Sequence, residues 1–150
     1  MTVLDAYAVI AYLRAEPAAR EVRSLLDNGD AALTAVGVAE VLDHLIRLAG
    51  ADEEDAVLDL AQLGLLEGIV VDCDLGLAAG RLRARRHHRS RCTVSMADCV
   101  AAEAARQAST SLATSDPPLL ELCRTEGIAT IVLTGSDGTR WAPPAEPVNR

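Results

Sequence analysis

Residues 2–13 read TVLDAYAVIAYL, and they place one charged residue, Asp5, between a short apolar run and a longer, almost wholly apolar one. The first run has the composition of a short strand, and the second has the length and composition of a helix. An aspartate at such a junction either caps the helix or directs its carboxylate at a ligand. This stretch therefore predicts a strand that ends at a polar position.

The composition is that of a single folded domain. The chain has 150 residues, 50% of them hydrophobic, and no apolar run approaches the roughly 18 residues of a membrane span. The N-terminus has no basic segment that leads into a signal-like apolar stretch, so we expect a cytoplasmic protein. The four cysteines, Cys73, Cys92, Cys99 and Cys123, form no C-x-x-C pair, which favours buried thiols in a reducing compartment.

The charge is distributed unevenly. The net charge of −8 opposes loose binding to any polyanion. All 14 basic residues are arginine, which excludes a P-loop lysine, a Schiff-base lysine and a lysine general base. Residues 81–91, RLRARRHHRSR, carry a charge of +6 and leave −14 on the remaining chain. The molecule is therefore acidic with one basic stretch, called the arginine segment below.

Short β-like runs alternate with longer amphipathic stretches. The runs predict strands at residues 2–4, 31–33, 68–71, 111–113 and 129–133. The longer stretches predict helices at residues 6–14, 17–28, 35–49, 52–65, 75–90, 96–107 and 117–126. This alternation predicts an α/β fold, a three-layer α/β/α sandwich around a central, mainly parallel sheet of about five short strands. We expect one domain over residues 1–134 and a loosely ordered, Pro- and Gly-rich tail over residues 135–150.

Four acidic residues fall where the predicted strands end or the next helices begin: Asp5, Glu40, Asp98 and Asp116. Parallel sheets bind ligands beyond the carboxyl ends of their strands, so these carboxylates are candidates for one site. Asp5, Asp98 and Asp116 could also serve only as helix caps. Glu40 lies inside its helix, where capping explains little, and a partly buried glutamate without a partner is costly.

Convergence of the four carboxylates would require neutralisation. Two charges about 4 Å apart repel by about 1 kcal/mol in water and by about 4 kcal/mol at an effective dielectric of 20. Protons or a cation must offset this repulsion, and oxygen ligands without histidine or cysteine favour Mg²⁺ or Mn²⁺ over zinc. Such ions support hydrolysis of a phosphodiester by activated water. That chemistry suits a sequence with no triad-like arrangement of Ser, Cys and His.

Four segments resemble the PIN-domain family, and within it the VapC-like ribonuclease toxins of bacterial toxin–antitoxin modules. TVLDAYAVIAYL is similar to the opening strand-Asp-helix of the family, and VGVAEVLDHL to the helix that carries the second acid. TVSMADCVAAEAA is similar to the third-acid helix, and LATSD to the strand that leads to the fourth acid. The resemblance spans residues 2–133. Members often carry a small hydroxyl residue after the first aspartate, where this chain has Ala6 and Tyr7.

The resemblance implies a Mg²⁺-dependent endoribonuclease toxin. Its catalytic, metal-binding residues would be Asp5, Glu40, Asp98 and Asp116. Among them Asp5 and Asp98 would be the direct ligands, and Thr114 and Ser115 would orient the fourth acid or the RNA phosphate. The resemblance also implies a homodimer and inhibition by a cognate VapB-like antitoxin, whose C-terminal segment covers the active-site groove.

The arginine segment has two interpretations. Arg85, Arg86 and Arg89 could contact RNA phosphates on a protein that otherwise repels RNA. Alternatively, they belong to a solvated helix and pair with local acids such as Asp72 and Asp74. With only three aromatic residues in the chain, extended base stacking is not expected. We expect recognition of RNA shape and cleavage at an exposed loop.

Two other functions fit acids at the ends of parallel strands. A Mg²⁺-binding, non-nuclease phosphoacceptor or aspartate-nucleophile phosphatase is the first, although the phosphoacceptor lacks its lysine and the phosphatase lacks a second acid at Tyr7. The second is a binding protein whose acids only cap helices. In that case Mg²⁺ should leave the melting temperature unchanged, whereas an occupied acidic site should raise it.

Overall fold

The computed structural model describes residues 1–145, and a four-stranded parallel sheet lies at its centre. The strands are β1 (Thr2–Leu4), β2 (Ala31–Ala32), β3 (Ser111–Thr114) and β4 (Thr130–Val132). Their order across the sheet is β2-β1-β3-β4. In register, Thr2 lies opposite Ala31 on β2 and opposite Ser111 on β3. The two central strands, β1 and β3, are therefore the first strand and a strand more than 100 residues later.

Helices cover both faces of the sheet. They are α1 (Ala6–Leu13), α2 (Ala19–Asp27), α3 (Ala35–Asp43), α4 (Glu53–Gln62), α5 (Cys73–Arg86), α6 (Met96–Gln107) and α7 (Pro117–Glu126). Side chains alternate along each strand. Accordingly Val3 and Leu112 pack with α5, α6 and α7 in one core, whereas Leu4 and Ala113 pack with α1 to α4 in a second core. The predicted α/β/α sandwich is confirmed.

The sheet has a topological switch point between β1 and β3. The chain leaves β1 through α1 on one face of the sheet and leaves β3 through α7 on the opposite face. These two connections diverge and open a crevice at the carboxyl ends of the two strands. Such crevices are the usual ligand sites of open parallel sheets.

The predicted strand at residues 68–71 is reduced to a single bridge. Ile69 pairs in parallel with Thr34: its N–H donates to the Leu33 carbonyl at 2.7 Å, and its carbonyl accepts from the Ala35 N–H at 2.9 Å. The ladder stops there because Thr34 already caps α3, with its Oγ1 accepting from the Gly37 N–H at 3.0 Å. After Thr34 the chain turns away from the sheet into α3, so residues beyond Ile69 find no strand to pair with.

Two helices, α3 and α5, end at least four residues earlier than their sequence patterns predict. The pattern over residues 35–49 forms α3 and then a π-helical turn, His44–Leu48. The pattern over 75–90 ends at Arg86, because His87 adopts an extended conformation with ψ of 132°. His88 and Cys92 then form an antiparallel bridge, and this bridge places Arg89 in an exposed turn rather than on a helix.

The four cysteines differ in burial. Cys99 and Cys123 are buried, and burial raises the pKa of each thiol to about 12. The expectation of burial is wrong for Cys73, which is exposed at the start of α5, and Cys92 is half-buried. Within residues 1–145, no helix is long and apolar enough to cross a membrane.

Gly68→Ala is expected to destabilise the protein. A Cβ at residue 68 would lie 2.4 Å from the backbone carbonyl oxygen of Leu33, which cannot move without breaking the bridge at Ile69. We expect the free energy of unfolding to fall by about 1–3 kcal/mol in urea denaturation. The matched control is Gly76→Ala on α5, where a Cβ meets nothing within 4 Å and helix propensity predicts a gain of up to about 1 kcal/mol. Equal effects of the two substitutions would contradict this account of the bridge.

Candidate active site

Asp5 is the buried centre of the site. Its backbone N–H donates to the Ala113 carbonyl at 3.0 Å, which fixes it at the end of β1 beside β3. Its side chain is only 6% exposed. Oδ2 accepts from the Thr114 hydroxyl at 2.8 Å, and Oδ1 caps α1 by accepting from the Tyr7 N–H at 3.4 Å. The two interpretations of Asp5, helix cap and site residue, therefore hold together.

Asp116 is tied to Asp5 through the same hydroxyl group. The Asp116 N–H donates a hydrogen bond to Thr114 Oγ1 at 3.1 Å, while the Thr114 hydroxyl donates a hydrogen bond to Asp5. Asp116 Oδ2 then accepts from the Leu119 N–H at 3.1 Å and caps α7, with Pro117 as the first helical residue. Thr114 is completely buried. One fixed hydroxyl thus positions two of the predicted acids.

Asp98 opens α6 in the capping box that the sequence predicts. Its Oδ2 accepts from the Ser95 N–H at 2.6 Å, and its N–H donates to Ser95 Oγ at 3.0 Å. This reciprocal pair satisfies two backbone donors at the helix start. It does not remove Asp98 from the site, because the residue also lines the cleft described next.

The four predicted acids line one cleft at the switch point. The cleft has a volume of about 720 Å³, and Asp5, Glu40, Asp98 and Asp116 all contribute to its wall together with Ser115. Glu40 reaches it from α3 and is half-buried. Clefts of this size are typical of sites for small molecules or for one part of a larger substrate. The structure therefore brings together residues that are up to 111 positions apart in the sequence.

The carboxylates interact unfavourably with one another. Burial, followed by the charge of Asp98, raises the pKa of Asp5 to about 7, and the hydrogen bonds from Thr114 and Tyr7 only partly offset this rise. Burial and the charge of Asp98 also raise the pKa of Glu40 and of Asp116. The charge of Asp98 thus acts on all three other acids. The site favours a bound proton or another positive charge.

The donor set suits a hard divalent cation. Carboxylate and hydroxyl groups line the cleft, and Mg²⁺ and Mn²⁺ prefer such oxygen ligands. Within residues 1–145, no group of three or more His, Cys, Asp or Glu side chains is already arranged to hold an ion. The residue types and their shared electrostatic strain fit a metal, and coordination would require their side chains to turn further toward a common point.

The arginine segment does not line this cleft. Arg85 and Arg86 donate to the Glu126 carboxylate, Arg86 from its Nε at 2.5 Å. Burial raises the pKa of Glu126, but hydrogen bonds from Arg106 and Arg86 and the nearby arginine charges outweigh it and bring the pKa to about 2. Asp72 and Asp74 were the wrong candidates for the acids that pair with Arg85 and Arg86, because the acid that binds both arginines is Glu126 on α7.

Other residues of the cleft wall were missed in the sequence. His44 and Arg47 line it from the turn after α3, four and seven positions beyond Glu40, respectively. That helical spacing is a signal that could have identified them. Another part of the wall comes from the predicted tail and includes Asp137 and Trp141. No local sequence pattern announces it, since the tail is held by a distant residue, as described below.

The comparisons place this chain in a known family. The sequence profile of the PIN domain matches residues 2–124. The chain therefore belongs to the PIN-domain family, as its motifs predicted. PIN domains are in general nucleases, and those nucleases generally use divalent metals. A comparison with curated proteins finds no significant match.

Solved structures share the fold at low sequence identity. The FitAcB structure from Neisseria gonorrhoeae has a TM-score of 0.63 at 22% identity, over 87% of this chain and 96% of that chain. FitAB bound to an IR36 DNA fragment has a TM-score of 0.65 at 22% identity, over 87% and 94%. A toxin–antitoxin complex from Klebsiella pneumoniae has a TM-score of 0.55 at 14% identity, over 77% and 87%. These similarities concern the fold.

The variant Asp5→Asn is expected to be more stable than the wild type in the absence of metal, by a difference that grows as the pH rises. Because the pKa of Asp5 is raised from 3.8 to about 7 in the folded protein, the folded state holds this proton more tightly than the unfolded chain. Stability from that proton is present below the unfolded pKa and is lost as the pH rises toward about 7. Asn can still accept from Thr114 without carrying the charge. In EDTA we expect the variant to exceed the wild type by about 1–4 kcal/mol near pH 8 and by little near pH 4.

Urea denaturation across this pH range measures the difference directly. Asp59→Asn, at an exposed position on α4 outside the cleft, is the matched control. It should show no comparable growth of the difference with pH. An Asp5→Asn difference that is the same at both ends of the range would contradict the buried, repelled carboxylate.

Proposed function

We propose that this protein is a metal-dependent endoribonuclease of the VapC-like kind, a toxin that a cognate VapB-like antitoxin neutralises. The observation that carries the proposal is that Asp5, Glu40, Asp98 and Asp116 all line the same cleft at the β1/β3 switch point. Membership of the PIN-domain family supports nuclease chemistry at these acids over the phosphoacceptor and phosphatase alternatives. Because RNA is the substrate in this proposal, we place the protein in the cytoplasm.

The residues of the chain divide the work. Asp5 and Asp98 are the direct ligands in our proposal, and Glu40 and Asp116 complete the acidic site. A Mg²⁺ or Mn²⁺ ion held there would lower the pKa of an attacking water and offset the charge that develops on the phosphate. Thr114 fixes Asp5 and the backbone of Asp116. Ser115, the residue after Thr114, lies on the cleft wall and would orient the phosphate by donating a hydrogen bond to one of its oxygens.

The partners follow from what the structural neighbours are. One neighbour is a toxin–antitoxin complex, which supports an antitoxin partner for this chain. We include a homodimer in the proposal on the resemblance to VapC-like toxins alone. The open cleft, with apolar and acidic walls, is the surface that an antitoxin segment would cover to block the substrate.

The arginine segment remains a proposed contact outside the cleft. Arg89 lies in the exposed turn after α5, and Arg85 and Arg86 are 53% and 40% exposed despite their bonds to Glu126. RNA that extends beyond the cleft would meet these positive charges with its phosphates. Their share of the affinity would decrease as salt increases, because phosphate contacts release counterions.

Cleavage of RNA by the purified protein tests the proposal. The protein, freed of antitoxin, is incubated with total bacterial RNA in Mg²⁺ or in EDTA, and the new ends are mapped. We expect discrete cuts with 5′-phosphate and 3′-hydroxyl ends that require the metal. Asp5→Asn and Asp98→Asn should each lower the cleavage rate by more than about 100-fold. Substitutions next to a metal ligand typically cost about 10- to 100-fold, and these two remove the charge of a proposed ligand itself.

The variants are chosen to separate chemistry from folding. Asn at position 98 can still accept from the Ser95 N–H, so the helix cap is retained. Asp59→Asn removes an equal charge from an exposed position outside the cleft and should cleave like the wild type. Cleavage that persists in EDTA, or that Asp98→Asn retains in full, would refute the metal-dependent nuclease.

A further inference from the structure

Aromatic residues are scarce in this chain, and two of the three line the candidate active site. Tyr7, Tyr12 and Trp141 are the complete set, with no phenylalanine. Tyr12, on α1, is partly buried and packs against the second core. Tyr7 and Trp141 instead belong to the wall of the cleft. Because neither is a member of the two cores, their packing gives no reason for an aromatic ring at either position.

Tyr7 is held at the mouth of the cleft with its ring accessible. It lies two residues after Asp5, in the first turn of α1, and remains 44% exposed. Its ring meets the His44 ring edge to face, with centroids 6.4 Å apart and planes at 81°. Arg14 Nη1 in turn lies 3.4 Å from His44 Nε2. The ring is thus oriented by its neighbour but not covered by it.

Trp141 is delivered by an ordered turn. The turn closes through the Gly135 N–H, which donates to the Thr139 carbonyl at 2.7 Å, and through the Asp137 carboxylate, which accepts from the Thr139 N–H at 2.9 Å. Gly138 at its tip has φ of +82°, a conformation that favours glycine. Residues 135–141 of the predicted tail are therefore structured, whereas residues 146–150 lie outside the described part of the chain.

A long-range contact fixes this turn to the domain. Arg140 donates to the Glu21 carboxylate on α2 and, at 2.6 Å, to the Val132 carbonyl on β4. The same Glu21 accepts from the Thr134 N–H at 3.0 Å. Hydrogen bonds from Thr134 and Arg140 outweigh the effect of burial and lower the pKa of Glu21. The residue directly after this anchor is Trp141, so its position on the cleft wall is built into the fold.

We propose that Tyr7 and Trp141 form a nucleobase-stacking subsite, which takes an unpaired base next to the phosphate that is cut. The proposal rests on the proposed function, because it names the substrate feature that the same cleft recognises. Every base has an aromatic face, so ring stacking suits a single strand of varied sequence. Arg47, also on the wall, donates two hydrogen bonds to the Asp43 carboxylate, at 2.9 and 2.7 Å. Its side chain stays 63% exposed, so it can still meet a backbone phosphate. Duplex RNA, whose bases are stacked on each other, has no free base to offer.

This subsite differs from the extended stacking that the composition excludes. Two rings provide for one base, or at most one base on each ring. Contact with RNA was one of two interpretations of the arginine segment, and Arg85 and Arg86 pair with Glu126 outside the cleft. Selection of the cleavage position would therefore depend on the aromatic pair, and general affinity on the arginines.

Binding of a labelled oligonucleotide tests the subsite without relying on cleavage. The probe is a fluorescein-labelled single-stranded RNA of eight nucleotides, measured by anisotropy with Ca²⁺ in place of Mg²⁺, and its integrity is checked on a gel. Trp141 is the only tryptophan, so its emission should also be quenched by the unlabelled strand. Tyr7→Ala and Trp141→Ala should each weaken binding by roughly 5- to 150-fold, the range that stacking of one base provides.

Three controls make the result specific. Tyr7→Phe and Trp141→Phe keep a ring and should restore most of the affinity. Leu77→Ala truncates a side chain that is 56% exposed on α5, outside the cleft, and should have no effect. The alanine variants of Tyr7 and Trp141 should leave unchanged the slope of log affinity against log salt concentration. Arg47→Ala should reduce the magnitude of that slope by about 1, the value for one phosphate contact. Thermal unfolding verifies that each variant is folded.

A scan with single abasic positions in the probe identifies the contact itself. Removal of the base at one position should weaken binding to the wild type. The same removal should cause no further loss with Trp141→Ala, because the base and the ring form one interaction. Affinity that neither alanine variant changes, or equal binding of duplex RNA, would overturn the subsite. Loss of affinity for the antitoxin alone would assign the rings to a protein partner and would also overturn it.

The two proposals fail separately. Wild-type protein that cuts RNA while the alanine variants bind and cut equally well would refute the subsite and leave the nuclease standing. Wild-type protein that binds single strands through Tyr7 and Trp141 but cuts no RNA in any metal would refute the nuclease and leave the subsite standing.

Discussion

The hydrogen bond from the Thr114 hydroxyl to the buried Asp5 carboxylate is the interaction on which the site depends. It joins the ends of β1 and β3, and the same oxygen accepts from the Asp116 N–H. A fully buried group therefore fixes two acids at the one edge of the sheet where the helices diverge. Burial and the charge of Asp98 then raise the pKa of Asp5 to about 7. The fold thus holds negative charges together that would otherwise separate, and a bound proton or a cation would relieve that repulsion.

The acids could be predicted from the sequence because their positions follow from local rules. Strand ends and helix starts are legible in short patterns, and parallel strands bring their carboxyl ends to one edge. Asp98 illustrates the limit of choosing between interpretations, since the residue completes a capping box with Ser95 and also lines the cleft. Capping engages one oxygen of a carboxylate and leaves further lone pairs available, so structural and functional roles are compatible.

Contacts between distant parts of the chain could not be predicted in this way. Arg85 and Arg86 bind Glu126, which is 41 and 40 residues away, and Arg140 binds Glu21 across 119 residues. No periodicity encodes such pairs, because they depend on how the layers pack. The predicted strand at residues 68–71 was lost for a related reason: its partner, Thr34, leaves the sheet to cap α3. Boundaries, surface pairs and the shortest strand thus depend on tertiary structure, whereas the types of the longer elements follow local sequence.

The most direct test of the central claim is a thermal unfolding titration with Mg²⁺, for the wild type and Asp98→Asn, against NaCl of equal ionic strength. A shared acidic metal site predicts that Mg²⁺ stabilises the wild type beyond the salt control, by about 2.7 kcal/mol at a hundredfold excess over the Kd. Asp98→Asn should lose most of this gain, because its charge acts on the three other acids. Equal effects of Mg²⁺ and NaCl on the wild type, or an undiminished gain in Asp98→Asn, would contradict the account.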